Sequence, residues 1–563
     1  MALLWLCVAV GLTGWAVQRS AQVGRLAAPP RYDDINYFNA ALRWLHRWSE
    51  LGPVDALLAF LQDPPRAPFP ELLAAGSFAI GGVDLAVPYL ASFFIPWVAL
   101  LWVSRFASRA TTIERLLIGL YVCTIPLLTV GVTQFRPDPF WGIVLGGAMG
   151  LLLTERMVGA TARHLIAVGA SFGAACLIKT STFPVTAIAL ITGVVLGAIA
   201  DRWARPADWS WRAAMRSALI ICATAALVAL PYYALAWRKI FGYLYINALG
   251  RDVYIWLTPG DWWYHLAFYS FGGAGVTMFG YQGPVLLSLV VAGIVAALSK
   301  ARAVGAQSRE PLVRLVAFTL GIGVLYALPT IVPTKSPYFG AAFGAGLIFL
   351  AVYSVVPLIE NLPQRVGRAP LATGALVLLV AAGASAFRWP LAEGRSGDPM
   401  LADLTRLHEE LVGALRTLPP TPAPRRLWVT APAPITAGAL QWMVDREGLA
   451  VRVIHDNREP YLPALMRKFT DVDLVFAQEE GGVHLSRWAH KRMPAARMQG
   501  EILRALRERG DLRIIATLRE PGGKELYLFQ RVRTGAGLAQ DSEITCRPGA
   551  IVAGIELGLG NDM

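Results

Sequence analysis

The chain has 563 residues, 55% of them apolar and 16% charged, with a mean hydropathy of +0.49 and a formal net charge of +13. An ordinary soluble domain is roughly 25% charged, so a string of soluble domains is excluded. The surplus of basic residues lies in the apolar part, which points to basic membrane loops and an anionic ligand and argues against nucleic acid.

Divided after Arg388, the chain shows two compositions. The last 175 residues hold 23 Lys/Arg and 22 Asp/Glu, and the first 388 hold 28 and 16. The expected architecture is therefore a polytopic α-helical membrane domain followed by a soluble α/β domain. The expected divisions are 1–390 (with outer loops 18–84 and 237–280), a linker 391–425, the soluble domain 426–535 and a tail 536–563. Five cysteines without a CxxC, and seven scattered histidines without an HExxH, support neither a disulfide framework nor a His/Cys metal centre.

A bilayer core needs about 20 apolar residues per helix. Candidate spans run 2–17, 85–103, 116–133, 140–153, 165–178, 184–200, 218–236, 284–298, 315–331, 338–356 and 371–387, about eleven in all. Arginines and lysines collect after the even-numbered spans: Arg105, Arg109 and Arg115; Arg156 and Arg163; Arg202, Arg205, Arg212 and Arg216; Lys300, Arg302, Arg309 and Arg314; Arg365 and Arg368. The positive-inside rule makes these loops cytoplasmic. It places loops 18–84 and 237–280 and the C-terminal domain outside. The first span conflicts locally, because Arg19 and Arg25 follow it and no base precedes it. A signal peptide is the alternative there, against which stands the missing basic leader.

Outside the first span, PPRYDDINYF carries Asp33 and Asp34 ahead of a helical apolar rhythm. Two acids there suit a helix N-terminus or a general base at the membrane surface. Asp138 in FRPDPFWG, Lys179 in LIKTSTFP and Lys335 in PTKSPYFG fall on the same expected face. Singly, each reads as a loop or snorkelling charge. Together, a carboxylate and ammonium groups at one depth suit a reaction that deprotonates a nucleophile and neutralises a leaving anion. The aromatic loop 237–280 carries Arg251 and has the composition of an interfacial helix.

Beyond the Pro-rich stretch LPPTPAPR, strand-like runs 427–430, 450–454, 472–477, 512–518 and 526–532 alternate with helix-like stretches 435–445, 461–469 and 495–509. This alternation predicts a small α/β domain with a partly parallel sheet. Neither a GxGxxG nor a P-loop accompanies it.

These motifs resemble the C-type glycosyltransferases, in particular glycosyltransferase family 39 with its protein O-mannosyltransferases and aminoarabinose transferases. YDDINYF is similar to the first-loop acidic signature, with Asp33 and Asp34 on its two acids. DPPRAPFPELLAAGSFAIGG resembles the Pro-Pro segment before the second span, with Asp63 where a His is usual. RPDPFWG is similar to the later acidic motif. ACLIKTSTFP resembles a Lys-Gly-Pro motif with Thr180 in place of Gly. TKSPYFG resembles a late Lys/Arg–Tyr–Pro stretch that here lacks the Pro after Tyr338. The likeness covers about the first 390 residues.

The resemblance implies a C-type fold and transfer of a sugar from a polyprenyl-phosphate donor to a lipid, glycan or protein acceptor outside a bacterial inner membrane. Asp33 would be the base for an inverting displacement, with Asp34 beside it. Asp138, Lys179, Lys335, Tyr338 and Arg251 would bind substrate. The family includes members with and without a divalent cation, so the carboxylates leave that open. The competing class is a transporter or flippase of a lipid-linked or anionic solute. Transporters commonly show inverted repeats and midplane charges; this sequence shows neither.

Overall fold

In the computed structural model, residues 1–22, 26, 33–65, 67–250, 253, 257–304, 309–332, 335–361, 368–386, 399–430, 435–455, 459, 461–479, 494–520 and 523–532 are described. Arg251 lies outside them. The chain divides into two compact units, Met1–Arg19 with Trp44–Ala392, and Ser20–Arg43 with Glu393–Met563. The segment 20–43, grouped by composition with the membrane domain, thus belongs to the unit that holds the C-terminal domain.

In the first unit the described part of each apolar run is helical, apart from breaks at Ser92–Phe93 and Thr124–Ile125. Seven helices among the described residues are long and apolar enough to cross a membrane, and eight if Thr112–Cys123 and Pro126–Thr133, bent by 59°, form one span. This is a multi-pass membrane protein. The other predicted spans are shorter apolar helices, such as Ala162–Ile178, or the helix Pro137–Thr154, every residue of which from Pro137 to Leu153 is buried. The first helix, Ala2–Gln22, is anchored by Trp5, which is buried and donates to Ser104.

Pro137–Thr154 can be central because its glycines let neighbours approach. A Cβ on Gly142 would lie 2.4 Å from the Ala341 carbonyl oxygen, and one on Gly146 would lie 2.8 Å from the Gly346 nitrogen. Backbone-to-backbone packing of this kind joins it to the helix Ala341–Glu360. Small residues commonly do the same between helices in lipid.

Ion pairs join the arginine-rich loops at one end of the bundle. Arg105 meets Glu155 at 2.5 Å, Arg205 meets Glu310 at 2.7 Å and Lys300 meets Glu360 at 2.7 Å. At their centre the Asp201 carboxylate pairs with Arg314 and accepts the N–H groups of Met157 (2.9 Å) and Val158 (2.7 Å). Both charged side chains are buried.

In the second unit the strands are β1 (Arg425–Val429), β2 (Val451–Ile454), β3 (Leu474–Gln478), β4 (Leu512–Arg519) and β5 (Glu525–Arg531), in the order β2-β1-β3-β5-β4. β1 pairs in parallel with β2 and β3, whereas β5 runs antiparallel to β3 and β4. All five residues of β3 are buried, as a sheet covered on both faces requires. Part of the stretch expected as linker is instead the helix Pro399–Arg416, whose Leu407, Leu411 and Leu415 enter the core with Leu427 and Leu474. Their spacing of four puts all three on one helical face.

Removing one member of a buried ion pair leaves the other charge uncompensated. Asp201→Ala should lower the unfolding free energy of the detergent-solubilised protein by about 3–5 kcal/mol, and adding Arg314→Met should restore part of it. A single variant as stable as the parent would contradict this role.

Candidate active site

Asp138 lies in the first turn of Pro137–Thr154, and Lys179 caps the C-terminus of Ala162–Ile178. An acid at a helix N-terminus and a cation at a C-terminus each complement the local dipole. The two helix ends meet, and the Lys179 ammonium pairs with the Asp138 carboxylate, both side chains being largely buried. This end of Pro137–Thr154 is opposite the one where Glu155 meets Arg105.

The preceding turn is built to hold more than the pair. Among the described residues Phe135 is the one non-glycine with positive φ, at 44°. Such a conformation is strained for a residue with a Cβ and commonly persists where the surroundings impose it. On either side of it, Gln134 and Arg136 both engage Tyr338. The Tyr338 hydroxyl donates to Gln134 Oε1 at 2.5 Å, and the Arg136 guanidinium carbon lies 4.1 Å from the centre of the Tyr338 ring. Lys179 Nζ lies 5.0 Å from the ring of Phe339, the next residue. Two cations from different elements thus rest on adjacent rings of the turn Pro337–Gly340.

Lys335 is buried at the end of the helix Arg309–Ile331. Its three ammonium protons go to the carbonyls of Pro329 (2.7 Å), Thr330 (2.7 Å) and Val332 (2.6 Å). These carbonyls lack intrahelical partners because a helix end leaves its last acceptors open. Burial pushes the Lys335 ammonium down to about 8, from an ordinary value of 10.5. Its nitrogen also lies 5.4 Å from the Tyr269 ring.

Asp33 and Asp34 open the helix Asp33–Gln62 in the second unit. Asp34 is buried, and its Oδ1 faces the Ile35 N–H at 3.2 Å. Asp63, at the position where the resembled family has a His, pairs with Lys239 on the helix Trp211–Ala248, and Lys239 also donates to the Pro64 carbonyl at 3.0 Å. That 38-residue helix runs well past the expected end of its span into the aromatic segment. The separate helix Trp262–Phe268 there exposes Trp262 and Trp263.

The structure therefore brings Asp138, Lys179 and Tyr338 into one cluster and adds Gln134 and Arg136, which the sequence reading passed over. Arg136 had a visible signal, being two residues from Asp138 in RPDPF. Gln134 had none, because its partner is 204 residues away. Among the described residues no group of three or more His, Cys, Asp or Glu is placed to hold a metal ion.

The Gln134–Tyr338 bond ties two distant motifs. Gln134→Leu and Tyr338→Phe should each cost about 1 kcal/mol of stability. The double variant should lose no more than either alone, since both remove the same bond; additive losses would show that the bond does not couple the motifs.

No family model and no curated protein sequence matches the chain. Solved structures do. ArnT from Cupriavidus metallidurans in the apo state superimposes with a TM-score of 0.54 at 13% identity, over 92% of this chain and 98% of that one. The same protein bound to undecaprenyl phosphate gives 0.54 at 12%, over 93% and 97%. The mycobacterial arabinofuranosyltransferase AftD gives 0.51 at 13%, over 94% of this chain and 40% of that one. With its buried helical bundle, its C-terminal sheet domain and this likeness over more than nine-tenths of its length, the chain has the fold of the C-type glycosyltransferases.

Proposed function

We propose that the protein is an integral membrane glycosyltransferase of the bacterial inner membrane. It moves a sugar from a polyprenyl-phosphate donor to a hydroxyl of a lipid, glycan or protein acceptor on the outer side, where the C-terminal domain also lies. The observation that carries this reading is the Asp138–Lys179 pair with Arg136 and Tyr338, at the bundle end opposite the basic loops. Support for the donor class comes from the shared fold with ArnT, which binds undecaprenyl phosphate. Support for sidedness comes from the gathering of the basic loops at the other end.

In this reading Asp33 takes the proton of the acceptor hydroxyl. The hydroxyl oxygen attacks the anomeric carbon from the face opposite the phosphate. The bond from that carbon to the phosphate oxygen breaks, its electron pair stays on the phosphate, and the configuration inverts. Asp34 orients the acceptor. A phosphate leaving group needs positive charge more than a proton, which in this reading Lys179 and Arg136 supply. Arg251 is a further candidate in this role. Asp138 holds Lys179 in place through their ion pair, and Lys335 adds its charge from the helix end it caps.

Asp33→Asn keeps the size of the side chain and removes the base. Purified protein carrying it should still bind undecaprenyl phosphate and should lose transfer by at least about 100-fold, the lower range for a general base. Undiminished transfer would remove Asp33 from this role.

The Lys335 group also gives a pH signature. Its ammonium is charged below about 8 and neutral above it, so transfer should decline as pH rises through that value. Lys335→Arg keeps its charge at any working pH and should move the decline upward. Superimposable profiles for the two proteins would show that the Lys335 charge has no part in the reaction.

A further inference from the structure

The proposed base, Asp33, and its neighbour Asp34 are carried by a helix whose start packs on the C-terminal domain. Within the second unit, the face of Asp33–Gln62 formed by Ile35, Phe38 and Asn39 meets the helix Ala437–Arg446. These positions recur at i, i+3 and i+4, one stripe of a helix. Asn39 Nδ2 donates to the Gly438 carbonyl at 2.9 Å. The Phe38 and Trp442 rings lie 6.0 Å apart between centres, both buried. Gly438 makes the approach possible, since a Cβ there would lie 2.9 Å from Ile35 Cγ2 and 3.3 Å from Asn36 Oδ1.

The supporting helix is itself fixed. Its Leu440 and Val444 are buried in the core with Leu427 and Val429 of β1 and with Leu474 and Phe476 of β3. A continuous line of packed groups thus leads from the central strands, through Ala437–Arg446, to the turn of helix that begins with Asp33 and Asp34. Interiors packed in this way transmit displacement and do not absorb it.

We propose that the C-terminal α/β domain is a positioning domain for the acid pair: Gly438, Trp442 and Asn39 set the placement of the helix start that carries Asp33 and Asp34. This rests on the reading of Asp33 as the base. It assigns the domain a part in the turnover step and none in donor binding. Gly438, Trp442 and Asn39 are positioning residues, acting through the helix they hold.

The test is a graded series in the full-length protein: Gly438→Ala, Gly438→Val, Trp442→Phe, Trp442→Ala and Asn39→Ala. Transfer from a panel of labelled polyprenyl-phosphate sugars, binding of undecaprenyl phosphate and amide hydrogen exchange of residues 33–43 would be measured together. Small misplacements of a reacting group can lower turnover by about 100-fold. Gly438→Val and Trp442→Ala should therefore lose about 10- to 100-fold in kcat, with Gly438→Ala between them and the parent. Donor KM and undecaprenyl phosphate binding should stay within about twofold, far below the loss in kcat. Trp442→Phe, which keeps a ring against Phe38, should recover most of the turnover lost in Trp442→Ala.

Exchange in residues 33–43 should quicken in Gly438→Val and Trp442→Ala. Unchanged exchange, or unchanged kcat with full transfer, would overturn the proposal, as would a loss confined to donor KM. Asn39→Ala removes one hydrogen bond and keeps the test open if Gly438→Val does not fold. If Asp33→Asn transfers normally, the base assignment fails by itself. If Asp33→Asn is inactive and the Gly438 series is indifferent, the positioning role alone fails.

Discussion

An isolated charge at membrane depth is expensive, and the arrangement of this bundle follows from how it partners its charges. Asp138 and Lys179 lie at the ends of two helices whose dipoles favour those signs, and they pair with each other. The helix that brings Asp138 there is buried over nearly its whole length. Moving the pair would therefore mean moving the centre of the bundle. At the opposite end the same constraint is met by a different set, with Asp201 holding Arg314 and two backbone N–H groups. One end pairs its acids and bases with each other across neighbouring helices. The other sets cations on aromatic rings beside the Asp138–Lys179 pair, which suits an end that receives an anion.

Much of this was legible in the residues. The apolar runs became helices because twenty residues without charge have few other structures in lipid. The five strands of the C-terminal sheet appeared close to where short apolar runs alternated with helical stretches, since β3 and its neighbours are buried on both sides. Asp138 and Lys179 stood out as ionisable groups in short motifs and are joined in the structure.

What escaped the sequence has physical causes. Gln134 and Arg136 owe their place to a left-handed residue, Phe135, which no side-chain type at that position announces. The three carbonyls that receive the protons of Lys335 have no signature in the residues, since they are set by where a helix ends near Pro329. The helix Pro399–Arg416 was hidden because the prolines that follow it suggested a linker throughout. The close approach of Ile35 and Asn39 to Gly438 had no signal either, because it joins positions about 400 residues apart.

The account centres on a single displacement at the anomeric carbon, driven by a carboxylate base and a phosphate leaving group. The most direct measurement is the anomeric configuration of the glycoside formed by the purified protein from a polyprenyl-phosphate sugar of known configuration, read by nuclear magnetic resonance alongside the released polyprenyl phosphate. The account predicts one equivalent of polyprenyl phosphate per glycoside and an inverted anomeric centre. A retained centre, or lipid-linked sugar that crosses the bilayer without being cleaved, would contradict it.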